Sequence, residues 1–185
     1  MSVGYNYLTE TQKRQFARNL VQRRAGYEQF QKTNIINDSK KILVVGDRPG
    51  PGAKDFSSDH HNTPFYAKTY CSGWMNALLV EAEVPEEPLL WINSASYEGE
   101  PTKTAFFKTH SFEAIIALGN NASAWLSKAG MYHEIFSHPQ YHRRFKSDEQ
   151  YALIPRLQEL TKYTLKGELR ECYNTESLGE NNELQ

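Results

Sequence analysis

Short aliphatic runs recur along the chain and are separated by longer segments of mixed polar and apolar residues. A run of four to eight apolar residues that stops at Gly, Pro or Asn is typical of a buried strand. The runs that fit this description are Lys41–Gly46, PLLWINS with its strand end at Asn93, FEAIIALG ending at Gly119, and YHEIFSHP, stopped by Pro139. The pattern therefore predicts four strands.

Helical periodicity fills the intervals between these runs. The predicted helices are residues 9–31, SGWMNALLVEAEV from Ser72, a short helix in EPTKTAFFKTH with Pro101 in its first turn, a helix after Gly119 that ends at Gly130, a basic helix after Pro139, and a last helix capped by Ser147 and kinked at Pro155. Strands that alternate with helices indicate a parallel sheet covered by helices on both faces.

The predicted fold is α/β, a three-layer α/β/α arrangement around a four-stranded, mainly parallel central sheet. The length of 185 residues fits one domain with a full core. We expect an N-terminal helix over residues 9–31, a core over about residues 40–165, and a loosely packed C-terminal tail over residues 167–185.

Composition narrows the classes of function. No apolar run reaches the ~20 residues of a membrane span, and the N-terminus lacks a signal-peptide pattern, so we expect a cytoplasmic or nucleoid-associated monomer that is not secreted. Cys71 and Cys172 lack metal-ligand spacing and are too few for a four-thiolate iron–sulfur cluster. The expectation is that the protein holds no metal and no cofactor.

The charge pattern allows modest binding to nucleic acid. The net charge is −1, which excludes a globally basic protein, but KRQFARNLVQRR and HRRFK are locally basic. The alternative is that both stretches are solvated helix faces.

Three predicted strands end at a polar residue suited to chemistry. These residues are Asp47, in the turn GDRPGPG, Asn93 and His138. The carboxyl ends of parallel strands lie at one edge of a sheet, where ligands bind, so we expect a cleft that contains an acid, an amide and an imidazole. Phe65, on the long polar loop after the first strand, is suited to stacking on a planar ligand.

Each of these side chains also has a purely structural interpretation. Asp47 could cap its turn, Phe65 could belong to the core, Asn93 could satisfy a strand end, and His138 could be buried and hydrogen-bonded. GNNAS, which begins at Gly119, lacks the glycine pattern and the lysine of a phosphate-binding loop. The case for a cleft depends on the convergence of the strand ends.

The chain resembles the uracil-DNA glycosylase superfamily over about residues 40–160. The matching motifs, in order, are Gly46-Asp47-Arg48-Pro49-Gly50, Pro64-Phe65, LLWIN ending at Asn93, IIALGNNAS, and His138-Pro139-Gln140. The superfamily has Ser where this chain has Gln140, and the iron–sulfur cysteines of one of its branches are missing here. The resemblance is therefore to a divergent member.

The resemblance implies a role for each matching residue. Asp47 would position or activate the water that attacks C1′, and His138 would donate to the base carbonyl on which charge develops. Phe65 would stack on the flipped base beside Gly46, and Asn93 would recognise the pyrimidine edge. DNA would be contacted by Arg48, Tyr141, Arg143 and Arg144, with His142 on the same face. Arg48 could instead pair with Asp47.

The expected function is a DNA glycosylase that hydrolytically releases uracil or a modified pyrimidine from DNA. Two alternatives of the same fold are a catalytically silent nucleic-acid-binding module and an enzyme of modified-base synthesis that leaves the glycosidic bond intact. Neither the base nor the strand preference follows from the sequence.

Overall fold

Four parallel strands form the centre of the protein. The computed structural model describes residues 36–50, 60–61 and 70–176. Its strands are β1 (Ile42–Gly46), β2 (His60–His61), β3 (Leu89–Asn93), β4 (Ala114–Leu118) and β5 (Glu134–Phe136). They are arranged in the order β2-β3-β1-β4-β5, and only β2 is antiparallel to its neighbour. The predicted mainly parallel four-stranded sheet is confirmed, and β2 adds a two-residue strand at one edge.

Helices follow the strands as the alternating pattern predicts. They are α1 (Tyr70–Glu81), a 3-10 helix (Ala105–Lys108), α2 (Asn120–Lys128), α3 (Pro139–Phe145) and α4 (Leu153–Glu176). The predicted N-terminal helix over residues 9–31 lies outside the described residues. None of the described helices combines the length and the apolar character needed to cross a membrane.

The core has two halves, one on each face of the sheet. Alternate residues of β1 point to opposite faces, so that Val44 packs with α1 and α4 while Val45 packs against α2 and the 3-10 helix. Every residue of β1 is buried, as expected for a parallel strand covered on both sides, which explains its continuous aliphatic sequence. The predicted α/β/α layering is confirmed.

The last helix differs from the prediction at both ends. It begins at Leu153 rather than at Ser147, so Pro155 lies in its first turn and not at an internal kink. Backbone N–H groups of the first turn have no partner within the helix, and Pro therefore costs no hydrogen bond there. The helix also continues to Glu176, so the predicted loose tail over residues 167–185 begins as helix.

The short helix around residue 105 also starts later than predicted. Pro101 was expected in its first turn, but it forms an isolated bridge with Ala95. The helix itself is a single 3-10 turn, Ala105–Lys108. The chain between Asn93 and this turn consequently folds back over the carboxyl edge of the sheet, where Thr102 donates its hydroxyl to the Asn93 carbonyl at 2.6 Å.

The strand order creates a crevice at the carboxyl ends of the central strands. The chain passes from β1 to β3 on one side and then crosses to β4 on the other side of β1. Such a reversal leaves a gap between the loops that follow the two strands, and ligands bind in gaps of this kind. Asp47 directly follows β1 and Gly119 directly follows β4, so both residues lie at this crevice.

At the amino-terminal ends of the strands, a buried lysine joins β1 to β3. The Lys40 ammonium donates to the carbonyls of Glu87 at 2.8 Å and Leu89 at 3.0 Å, which joins the start of β1 to the start of β3. Burial lowers the pKa of Lys40 to about 8, although the nearby Glu87 charge acts in the other direction. This contact sets the position of β3 from the end remote from the crevice.

Candidate active site

The backbone of Asp47 is fixed by the segment that follows β3. The Ala95 N–H donates to the Asp47 carbonyl at 3.1 Å, and the Ser94 hydroxyl donates to the same oxygen at 2.8 Å. The Ser94 N–H donates to the Gly46 carbonyl at 2.9 Å. These bonds extend the pairing of β1 with β3 past the strand ends, so the half-buried Asp47 side chain leaves the sheet from a rigid backbone.

An amide holds the Asp47 carboxylate. Asn121, in the first turn of α2, donates from Nδ2 to Oδ2 of Asp47 at 3.0 Å. This contact spans the crevice, because Asp47 follows β1 and Asn121 follows β4. Within the described residues no ion pair joins Arg48 to Asp47, and the Arg48 side chain is exposed. The alternative in which Arg48 pairs with Asp47 is therefore not observed, and an amide contact holds the carboxylate instead.

Asn121 is a site residue that the sequence reasoning missed. The segment GNNAS matches one of the superfamily motifs and lacks the composition of a phosphate loop, and neither pattern assigns a role to Asn121. A polar residue two positions beyond the end of a predicted parallel strand was the available signal. The pairing partner was not readable, because 74 residues separate Asn121 from Asp47.

His138 is the N-cap of α3, and this position sets its tautomer. Its Nδ1 accepts the Gln140 N–H at 3.2 Å, and Pro139 occupies the first helical position. A nitrogen that accepts a hydrogen bond carries no proton, so the neutral ring bears its proton on Nε2. Burial lowers the pKa of His138 below its ordinary value of 6.5, with the Asp47 charge acting in the opposite direction. At neutral pH His138 is therefore an uncharged Nε2–H donor.

Two further contacts fix the turn that carries His138. The Tyr151 hydroxyl donates to the carbonyl of Ser137 at 2.7 Å, and the Tyr151 ring packs 5.6 Å from the ring of Trp74 on α1. On the other side lies Gly119, whose φ of +91° disfavours any residue with a side chain. A Cβ on Gly119 would lie 3.2 Å from the Cβ of His138. The imidazole is thus positioned by α1 and by the β4–α2 turn.

Asn93 lies beside Gly46 at the same edge of the sheet. The two residues are paired in the parallel register of β1 and β3, and both are buried. Since β1 lies between β3 and β4, Asp47 lies between Asn93 and His138 along the edge. The predicted convergence of the three strand ends on one edge is confirmed, while the predicted base-stacking residue Phe65 lies outside the described residues.

The exposed face of α3 is smaller than the sequence suggested. Tyr141 is 49% exposed and Arg144 is exposed, but only 9% of Arg143 and 4% of His142 is accessible. The prediction that His142 and Arg143 face DNA is therefore wrong. The reason is the docking of α3 on α1, which places the His142 ring 5.9 Å from the ring of Trp74. Its Nε2 lies 2.9 Å from the Glu149 carbonyl.

No protein-family model matches the chain, and a search of curated protein sequences finds no match. Within residues 36–50, 60–61 and 70–176, no three His, Cys, Asp or Glu side chains come together as a metal site would require. The arrangement at the crevice offers a carboxylate with one oxygen held by an amide, and a separate neutral imidazole that can donate a hydrogen bond.

The burial of His138 has a consequence for stability that can be measured. Because its pKa is lowered in the folded protein, the unfolded chain takes up the proton first as the pH falls below 6.5. The contribution of His138 is therefore complete above pH 6.5 and is lost as the pH falls through the lowered pKa. We expect wild-type protein to lose more unfolding free energy between pH 7.5 and 5.5 than His138→Asn, which keeps a capping side chain.

The measurement is urea unfolding at both pH values for the two proteins. The other histidines are common to both, so only the difference between the two pH dependences reports on His138. Equal pH dependences would show that burial does not lower the pKa of His138 in the folded protein.

Proposed function

We propose that this protein is a DNA glycosylase of the uracil-DNA glycosylase type, which hydrolytically releases uracil or a modified pyrimidine base from DNA. The observation that carries the proposal is the presence, at one sheet edge, of both the Asp47 carboxylate and a neutral imidazole donor at His138. The five motifs that resemble the superfamily support the same conclusion, because two of them supply Asp47 and His138 and a third supplies Asn93.

The two groups suit the charge changes of glycosidic bond hydrolysis. As the bond between C1′ and the base nitrogen breaks, positive charge develops on the sugar and the bonding electrons move onto the base. Asp47 stabilises the sugar and orients water for attack on C1′, and it accepts the proton that this water releases. The Nε2–H of His138 donates to the base carbonyl oxygen that gains negative charge. The base then leaves as an anion, stabilised by this hydrogen bond, and takes up a proton from solvent.

Support of the two groups by different elements is consistent with this division of work. Asn121 on α2 fixes one carboxylate oxygen and leaves the other available to water. Tyr151 and Gly119 fix the imidazole independently. A catalytic pair must be held to within roughly 0.5 Å, which requires contacts of this kind around each member.

The remaining residues of the proposal concern recognition. The Asn93 amide offers both a donor and an acceptor, which matches the edge of a pyrimidine. Phe65 is proposed to stack on the flipped base beside Gly46. Arg48, Arg144 and Tyr141 are exposed and are proposed to contact the DNA, while the buried Arg143 is not. This chemistry needs no cofactor.

The test is a panel of oligonucleotides that contain uracil or another modified pyrimidine, each offered as single strand and as duplex. Base release is read as strand cleavage at the abasic site under alkali, with Asp47→Asn as the negative control. Release from at least one substrate that depends on Asp47 supports the proposal. Binding without release from any substrate would favour a silent binding module, and a mass change of the base without an abasic site would favour modified-base synthesis.

A further inference from the structure

Two aromatic rings are exposed together on α3, next to the candidate active site. Tyr141 is 49% exposed and Phe145 is 70% exposed. They lie one helical turn apart, with ring centroids 5.2 Å from each other and planes inclined at 45°. The Tyr141 N–H donates to the carbonyl of His138 at 2.9 Å, so the pair begins one turn from the proposed catalytic imidazole.

Two aromatic rings left in water forgo the stabilisation that their burial against the rest of the protein would give. The same helix buries His142 and Arg143 against the rest of the protein and turns its aromatic residues outward. An apolar surface kept in water beside a catalytic crevice marks a binding surface more often than an isolated exposed ring does. The partner must therefore offer flat apolar faces.

The charges around the rings do not suit a duplex. Arg143 is buried, and the Lys146 ammonium is paired with Glu149 at 3.1 Å, which leaves Arg144 as the exposed cation of α3 without an acidic partner among the described residues. The chain as a whole has a net charge of −1. A duplex presents its phosphates outward and keeps its base faces stacked inside, so its binding depends on several cations, whereas α3 offers only Arg144 among the described residues.

A single strand presents what the rings can use. Its bases have accessible π-faces, and aromatic side chains bind them by stacking with little dependence on sequence. A base in a single strand also enters a pocket without the cost of breaking a base pair. One exposed arginine beside two rings fits a partner whose affinity comes mainly from stacking.

We infer that Tyr141 and Phe145 form a stacking surface for the bases of single-stranded DNA that flank the nucleotide in the active site. Single-stranded DNA is then the preferred substrate over duplex. This inference rests on the proposed function, because it assumes that the nucleotide bound at Asp47 and His138 belongs to DNA.

The inference is tested by fluorescence anisotropy with a labelled oligo(dT) of roughly 12 nucleotides, within the usual site size of single-strand binders. The variants are Tyr141→Ala, Phe145→Ala and the double variant of the full-length chain. Tyr163→Ala is the matched control, since Tyr163 is 68% exposed but lies on α4. Loss of one stacked base typically weakens affinity about fivefold to a hundredfold, which is the expected range for each ring.

The dependence of affinity on salt separates stacking from phosphate contacts. Removal of the rings should leave the slope of log affinity against log salt unchanged, whereas Arg144→Ala should reduce it by about 0.7, the change for one phosphate contact to a single strand. Wild-type protein should bind the single strand more tightly than the same sequence as duplex. The inference is overturned if the double variant binds like Tyr163→Ala, or if duplex binds at least as tightly as single strand.

Failure of this inference can be told apart from failure of the proposed function. Base release by the wild-type protein is measured on the same oligonucleotides. Ring-dependent binding of the single strand without base release would leave the stacking surface in place and reject the glycosylase. Base release together with binding that does not depend on the rings would support the glycosylase and reject the stacking surface. The rings are exposed, so the alanine variants should retain the wild-type unfolding midpoint, which is measured alongside.

Discussion

Asp47→Asn is expected to lower the rate of base release by about 10²-fold or more while DNA affinity stays nearly unchanged. The substitution keeps the shape of the side chain and removes the charge that stabilises the sugar and accepts the proton from water, and terms of that kind have this magnitude. The backbone bonds that hold residue 47 use its carbonyl, so the fold should not depend on the carboxylate. Single-turnover release and equilibrium binding, measured on the same oligonucleotide, check both parts.

Asn121→Ala gives a graded companion to that variant. It removes the one hydrogen bond that fixes Oδ2 of Asp47 but leaves the charge in place, so we expect a loss of release smaller than that of Asp47→Asn. Asp148→Asn, which alters an exposed carboxylate in the turn after α3, is the control for net charge. If Asp47→Asn released the base at the wild-type rate, Asp47 would have no part in the mechanism.

His138→Asn is expected to lower base release by about 10²- to 10³-fold, the usual cost of a lost donor to a developing oxyanion. Asn is a good N-cap and can accept the Gln140 N–H, so α3 should remain in place and the salt dependence of DNA binding should be unaltered. Release kinetics are measured together with the salt dependence of binding.

His138→Ala separates the two functions of this residue. It removes both the donor and the cap, so it should match His138→Asn in release but unfold at a lower urea concentration. If His138→Asn retained the wild-type rate of base release, His138 would serve only as the cap of α3. The purely structural interpretation of this histidine would then be correct.

The strands and their order of succession were predictable because their signal is local. The runs that became β1, β3 and β4 are aliphatic, end at or beside Gly or Asn, and are almost entirely buried, as their composition requires. The run that became β5 is shorter and has no buried residue, and Ile135 in it is 54% exposed. Gly130, with a φ of +73°, ends α2 as a glycine at that position predicts. The starts of α4 and of the 3-10 helix were misplaced, because Pro155 and Pro101 are each compatible with more than one local structure.

The exposure of α3 could not be predicted from its sequence. HRRFK reads as a basic surface, yet one of its arginines is buried and Phe145 is exposed. Which face of a short helix is turned inward depends on what it packs against, and here that is Trp74 on α1 together with Tyr151. Neither contact can be predicted from the local pattern of polar and apolar residues.

The sequence by itself determined the α/β class, the parallel strands, and the placement of Asp47, Asn93 and His138 at one edge, since hydrophobic periodicity and strand polarity are sufficient for these. Only the tertiary structure decided that Asn121 holds Asp47, that Tyr151 and Gly119 position His138, and that burial keeps the imidazole neutral. These features arise from contacts between residues distant in the chain and from exclusion of water. Both depend on how the layers pack against one another, which no local stretch of sequence encodes.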